Sequence, residues 1–297
     1  MTRLQTLMAA ELAKPVNPRV TTMAEALAAQ YPAAARGVLF YGSCLRESQL
    51  DGLMLDFYLI VSDYEAAYGK GWFAFANRLL PPNVFPFAFS DGEGELVAKY
   101  AVLSEADFAR LCSTEAGDVS VWARFAQPTR LVWAAKKAAR YSIEQAVATA
   151  PVTLAAWTRP MMAAAGGAAD PLALWRAGFD LTYGAELRAE RKGRSASIVD
   201  FDPDYYRALS AVLSDVPVFS RAGAEERWAA FRRRGKALTL ARLAKATTTY
   251  AGGIDYLAWK INRHAGTRIA VKDWQRRWPI IGALTMLPRL FRSGAIK

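Results

Sequence analysis

The chain has 297 residues, 53% of them hydrophobic and 22% charged, a composition that excludes a disordered chain and leaves room for two domains, or one large domain with an extension. Two cysteines, Cys44 and Cys112, exclude a disulfide-built scaffold and a thiolate zinc site; the single histidine, His264, excludes histidine-rich metal sites and argues against histidine-dependent nucleophilic catalysis. The net charge of +11 calls for an anionic partner, which charge alone leaves open between nucleic acid, anionic lipid and a polyphosphate. No run of about 20 apolar residues exists to span a bilayer. The N-terminus carries Glu11 and lacks the apolar core of a secretory signal, so a reducing, intracellular compartment is expected.

Residues 1–36 are Ala-rich and helical in pattern, with breaks at Pro15, Pro18 and Pro32. An apolar run from Val38 to Tyr41 predicts a short buried strand, broken by Gly42-Ser43. Cys44 to Leu50 has room for one or two helical turns, and a second apolar run, Leu53 to Val61, encloses one carboxylate, Asp56. Residues two apart on a strand share a face, so Asp56 falls with Met54, Tyr58 and Ile60, opposite Leu55, Phe57 and Leu59. An acid in such company is costly unless a cation pairs with it. Gly42 lets the backbone approach a phosphate, Ser43 adds a hydroxyl, and the N–H groups of a following helix point to the same spot. An ordinary hairpin with a paired buried Asp explains the same residues.

Tyr64 to Leu80 places Tyr68, Trp72 and Phe75 at helical spacing before Pro81-Pro82 ends the segment, and a stripe of this kind is expected to pack into a core. The acidic turn Asp91-Gly92-Glu93-Gly94-Glu95 precedes a strand-like run, Leu96 to Leu103, in whose middle Lys99 either snorkels to the surface or aims at an anion. A short helix over Ala106 to Cys112 follows, and then a helix from about Leu131 to Thr149 bearing Lys136, Lys137 and Arg140. The Ala/Gly-rich stretch 161–171 is a linker or a helix junction. Beyond it, Leu172 to Arg188, Asp200 to Leu213 and Ala222 to Arg234 are helical in pattern, with a basic cluster from Arg188 to Arg194. Near the C-terminus Ile280, Leu284, Leu287 and Phe291 share one helical face opposite Gly282, Thr285, Arg289 and Arg292. That stretch either lies in a lipid headgroup layer or packs on the chain's own core.

Strand, Gly-Ser turn, short helix and strand bearing Asp resembles the opening of the DNA-polymerase-β superfamily of nucleotidyltransferases, except that Met54 stands where the superfamily has a first acid. Several segments, in order, are similar to the mitochondrial CDP-diacylglycerol synthase family, the matrix-facing translocator assembly and maintenance protein and its bacterial relatives. They are Tyr41-Gly42-Ser43, Met54-Leu55-Asp56-Phe57, Lys99 to Ser104, Arg124 to Pro128 and Leu181 to Arg188, with a looser match through Ile198-Val199 and Arg242 to Gly253. That family also carries an apolar residue at the Met54 position; Cys44 stands where it more often has glycine.

The resemblance implies an α+β fold: a nucleotidyltransferase domain with a mixed sheet over 1–125, a mainly helical, winged-helix-like domain over 126–235, and a basic amphipathic segment over 236–297 that closes on the cleft and contacts membrane. It implies a magnesium-dependent phosphatidate cytidylyltransferase of phospholipid biosynthesis, peripheral on the cytoplasmic side of a bacterial inner membrane or the matrix face of the mitochondrial one. CTP, phosphatidate and an anionic membrane surface are then the partners, in place of nucleic acid. Asp56 and Lys99 are the implied catalytic residues. Tyr41, Gly42 and Ser43 hold the nucleotide, and Arg188, Lys192, Arg242 and Lys245 offer cations to the phosphatidate headgroup. Asp56 holds Mg2+ with Asp51 as a second ligand, and Glu93 and Glu95 stand behind it. Two other functions fit the residues: a nucleotidyltransferase acting on RNA, protein or a small molecule, and a non-catalytic basic membrane- or nucleic-acid-binding protein on the same fold.

Overall fold

The computed structural model of the chain describes residues 2–47, 49–162, 170–186, 194–213, 216–249 and 270–277. Two N-terminal helices, α1 (Arg3–Leu12) and α2 (Pro18–Ala29), agree with the expected helical start. Thr2 and Gln5 close a capping box on α1, and Asn17 caps α2 with Pro18 in the first turn, where its missing N–H costs nothing. Pro18 thus begins a helix instead of breaking one.

A five-stranded mixed sheet follows, in the order β3-β4-β2-β1-β5. Its strands are β1 (Ala35–Tyr41), β2 (Met54–Val61), β3 (Asn83–Ser90), β4 (Glu95–Ser104) and β5 (Thr129–Ala134). β1 lies antiparallel to β2 and β5, β4 antiparallel to β3, and β2 and β4 run parallel. The parallel pair requires a crossover, supplied by α3 (Tyr64–Tyr68), α4 (Trp72–Leu79) and β3. β5, drawn from residues past 125, completes the sheet.

Two strands depart from the sequence reading. The helix expected from Leu131 begins only at Lys137, because Thr129, Leu131 and Trp133 are spent on pairing with β1. β3 has no counterpart in the reading; its alternating Phe85, Phe87 and Phe89 suit an edge strand, where Pro86 is tolerated.

The sheet separates two cores. One face, with Val38, Phe40, Leu55, Phe57, Leu59 and Val102, packs under α2. The other, with Leu39, Tyr58, Ile60, Ala101 and Leu103, faces a larger helical layer. That layer holds α5 (Glu105–Cys112), α6 (Trp122–Phe125), α7 (Lys137–Thr158), α8 (Ala173–Ala185), α9 (Arg194–Phe201), α10 (Pro203–Val212) and α11 (Arg221–Thr249). The division matches the expected faces of β2, with Tyr58 and Ile60 opposite Leu55, Phe57 and Leu59. Glycine sets the tightest helix contacts: a Cβ at Gly178 would lie 2.4 Å from a Leu154 methyl, and one at Gly235 only 2.2 Å from the Ala185 carbonyl oxygen. Trp228 Nε1 donates to Trp157 O at 2.8 Å, tying α11 to α7.

Candidate functional site

The site forms where β1 ends and the chain turns back over β2. Gly42 has φ +92° and ψ −164°, a conformation that strains any residue with a Cβ and is left essentially to glycine. It places the backbone directly against the acid: a Cβ built on Gly42 would sit 3.4 Å from Asp56 Oδ2. Ser43 opens a single 3-10 turn, Ser43–Arg46. Cys44 points inward from this turn and its thiol donates to Met54 O at 3.4 Å, fastening the turn to the start of β2. Burial, reinforced by Asp56, pushes the Cys44 thiol up, so it stays a structural thiol.

Asp56 is opposite Tyr41 on one side and Lys99 on the other. Lys99 Nζ lies 3.1 Å from Asp56 Oδ1, with side-chain exposures of 35% and 19%. Lys99 therefore pairs with the buried-side acid, which answers both awkward charges in the sequence at once. Tyr41, Tyr58 and Phe125 form an aromatic floor, with ring centroids 5.3 Å apart for Tyr41–Tyr58 and 5.0 Å for Tyr58–Phe125. The Tyr41 phenol is pushed well up by burial and then by Asp56, while Arg124, hydrogen-bonded to it, pulls the other way.

Arg124 lies in a segment that carries the family resemblance, and the sequence assigns it no role. It lies on α6, donates to Ser120 O and approaches Glu186 at 3.8 Å. Desolvation works to lower its pKa, but the neighbouring Tyr58 phenol, Glu186, the Tyr41 phenol and Asp56 outweigh it, so the guanidinium keeps its charge. Its one sequence signal is an arginine between the buried pairs Trp122-Ala123 and Phe125-Ala126.

Other expected residues are engaged elsewhere. Asp51, 58% exposed, pairs with Arg19 at 3.2 Å; Arg19 also holds Asp91 at 2.5 Å and Glu93 at 3.7 Å. Glu95 is the first residue of β4, paired in register with Ser90. Among the described residues no group of three or more His, Cys, Asp or Glu gathers as a metal cage. Arg242, on α11, binds Asp118 Oδ2 at 3.0 Å, Ser120 Oγ at 3.1 Å and Pro81 O at 2.9 Å. Burial works to raise the Asp118 carboxyl, but Arg242 prevails and holds it below its usual range. Lys245 donates to Leu80 O and, at 2.8 Å, to Pro82 O. Arg188, Lys192 and the C-terminal amphipathic stretch lie outside the described residues.

Asp56 thus presents one oxygen to Lys99 and the other to the Gly42 turn. One carboxylate beside a glycine turn suits magnesium arriving with a nucleotide's phosphates, since that ion keeps waters and takes one or two carboxylates plus phosphate oxygens. No family model matches the chain, and no curated protein matches it.

Proposed function

We propose that the chain is a nucleotidyltransferase of the DNA-polymerase-β type, and that within this class it is a phosphatidate cytidylyltransferase converting CTP and phosphatidate to CDP-diacylglycerol and pyrophosphate. The observation that carries the reading is Gly42, held in a glycine-only conformation against Asp56 while Lys99 pairs with the same carboxylate. A hairpin built only for stability has no need of this turn. The nucleotidyltransferase fold and a winged-helix-like second part belong to the proposal; the mixed sheet and the helical layer accord with them.

In the proposed reaction a phosphate oxygen of phosphatidate attacks the α-phosphorus of CTP. One P–O bond forms, the α–β phosphoanhydride bond breaks, and pyrophosphate leaves with its electron pair. The nucleophile is already anionic, so no general base is required and a chain with one histidine suffers no handicap. The barrier lies in bringing two polyanions together and stabilising charge on the leaving group. Magnesium, when bound, neutralises phosphate charge and orients the transferred group. Asp56 is the carboxylate that would hold it; Asp51 keeps to Arg19. The Gly42-Ser43 turn receives the β- and γ-phosphates, and Lys99 and Arg124 supply fixed positive charge beside the aromatic floor. Arg242 and Lys245 anchor α11 to the Leu80–Pro82 segment, and Arg188 and Lys192 remain the proposed headgroup cations.

The reading is tested by pyrophosphate release, measured with each of the four nucleotides, magnesium, and phosphatidate in mixed micelles. Release that requires both CTP and phosphatidate is expected. Release driven instead by RNA, a protein or a small-molecule acceptor would replace the lipid assignment with another transferase of the same class.

A further inference from the structure

Of the stripe read as core-packing, Tyr68 packs on the core under α2 as expected, whereas Trp72 and Phe75 do the reverse. Gly69 to Gly71 break the expected helix in two, and α4 turns its large apolar side chains outward. Trp72 is 51% exposed, Phe75 55% and Leu79 72%, and Phe73 is exposed beside them. Eight large apolar side chains are exposed among the described residues, and four of them sit on this one eight-residue helix.

The inner face explains why. It is lined by Ala74, Ala76 and a buried Asn77, whose amide donates to Val102 O at 3.0 Å and whose carbonyl accepts from Asn83 N. Asn83 in turn donates to Phe73 O at 3.0 Å. Buried amide hydrogen bonds hold the helix to the sheet, which leaves Trp72, Phe75 and Leu79, at helical spacing, without a core to join among the described residues.

We propose that α4 is a membrane-docking surface, with Trp72, Phe75 and Leu79 entering the headgroup layer of an anionic leaflet. Charge selects the occupant. Lys70 and Arg78 flank the face in sequence, Arg78 sharing its charge with Glu65 at 3.1 Å, and α11, with Arg232, Arg233, Arg234 and Lys236 exposed on it, is fastened through Arg242 to Pro81 just after the helix, so a basic helix adjoins the apolar face. A second copy of a chain carrying +11 is repelled from this surface, whereas an anionic leaflet is attracted to it. Trp and Phe beside Lys and Arg are the side chains that partition into that layer. This deepens the reading above, which needs an enzyme docked on its lipid substrate, and it locates docking on residues separate from the C-terminal stretch.

The test is flotation of full-length protein with phosphatidylcholine vesicles containing about 30% phosphatidylglycerol, free of CTP and phosphatidate, so that a failure of cytidylyl transfer leaves it untouched. Wild type is expected to float, and the triple variant Trp72→Ser, Phe75→Ser, Leu79→Ser to bind about tenfold more weakly or worse, from the lost burial of three large apolar groups. A wild type that stays unbound, a variant that binds like wild type, or a wild-type dimer that the variant dissociates would each overturn the proposal. A second variant guards against misfolding: Phe75→Cys, labelled with a polarity-sensitive dye, is selective because Cys44 and Cys112 are both buried. A blue shift on adding vesicles is expected; vesicle binding without a shift would refute insertion at this face.

Discussion

Replacing Gly42 with alanine separates backbone geometry from side-chain chemistry at the centre of the site. At φ +92° and ψ −164° an L-residue is strained by about 1–3 kcal/mol. The added methyl itself meets Asp56 Oδ2 at 3.4 Å, an ordinary contact, so strain is the whole cost and the turn relieves it by rotating away from Asp56. For a chain of this size the loss corresponds to a fall in melting temperature of roughly 2–5 °C, readable by calorimetry. Nucleotide binding, followed by titration calorimetry with CTP and magnesium, is expected to weaken far more than stability does. Gly52→Ala is the control, since Gly52 also has a positive φ, +75°, yet has nothing within 4 Å of its added Cβ; it should lose stability and keep CTP. A Gly42→Ala protein that binds CTP like wild type would refute the role given to this turn.

Asp56→Ala is expected to abolish magnesium-dependent CTP binding while changing stability by less than about 1 kcal/mol, because its pairing with Lys99 is partly exposed; urea unfolding and calorimetry on the same sample check both. Arg124→Ala should cost about 1–3 kcal/mol through the unpaired Ser120 carbonyl, and Arg124→Lys should recover stability more fully than turnover. Gly235→Ala forces α11 off the Ala185 carbonyl and is expected to destabilise by about 1–3 kcal/mol in urea. Burial, with Arg242 adding to it, brings Lys245 down to about 7. Between that value and the ordinary lysine range near 10 the unfolded chain binds more protons, so the Lys245 contribution to stability rises with pH across this window and is flat below it. Subtracting the pH profile of Lys245→Met from that of wild type should reveal the rise; a flat difference would refute it.

Much of the site was legible because it depends on local rules. The apolar runs on either side of Gly42-Ser43 gave β1 and β2, and the two-residue period placed Asp56 on the face of Tyr58 and Ile60, as found. Lys99 was visible as an awkward charge, but its partner was not, because only the parallel register of β2 and β4 brings Asp56 and Lys99 side by side. β5 was lost inside a helix: Thr129 to Ala134 runs into Lys137 without a glycine or proline to mark the change, and only pairing with β1 makes it a strand. Periodicity also told which residues of α4 share a face, but not which face is buried. The buried Asn77–Asn83 bonds decide that, and no hydrophobic pattern reports them. Arg124 acquires its place from tertiary contacts alone.

The central claim is tested most directly by incubating the protein with CTP labelled at its α-phosphate, phosphatidate in mixed micelles and magnesium, with Asp56→Ala alongside. The account expects label to enter a chloroform-soluble product with wild type and not with the variant. A well-folded wild type that binds CTP and leaves all the label in the aqueous phase would contradict it.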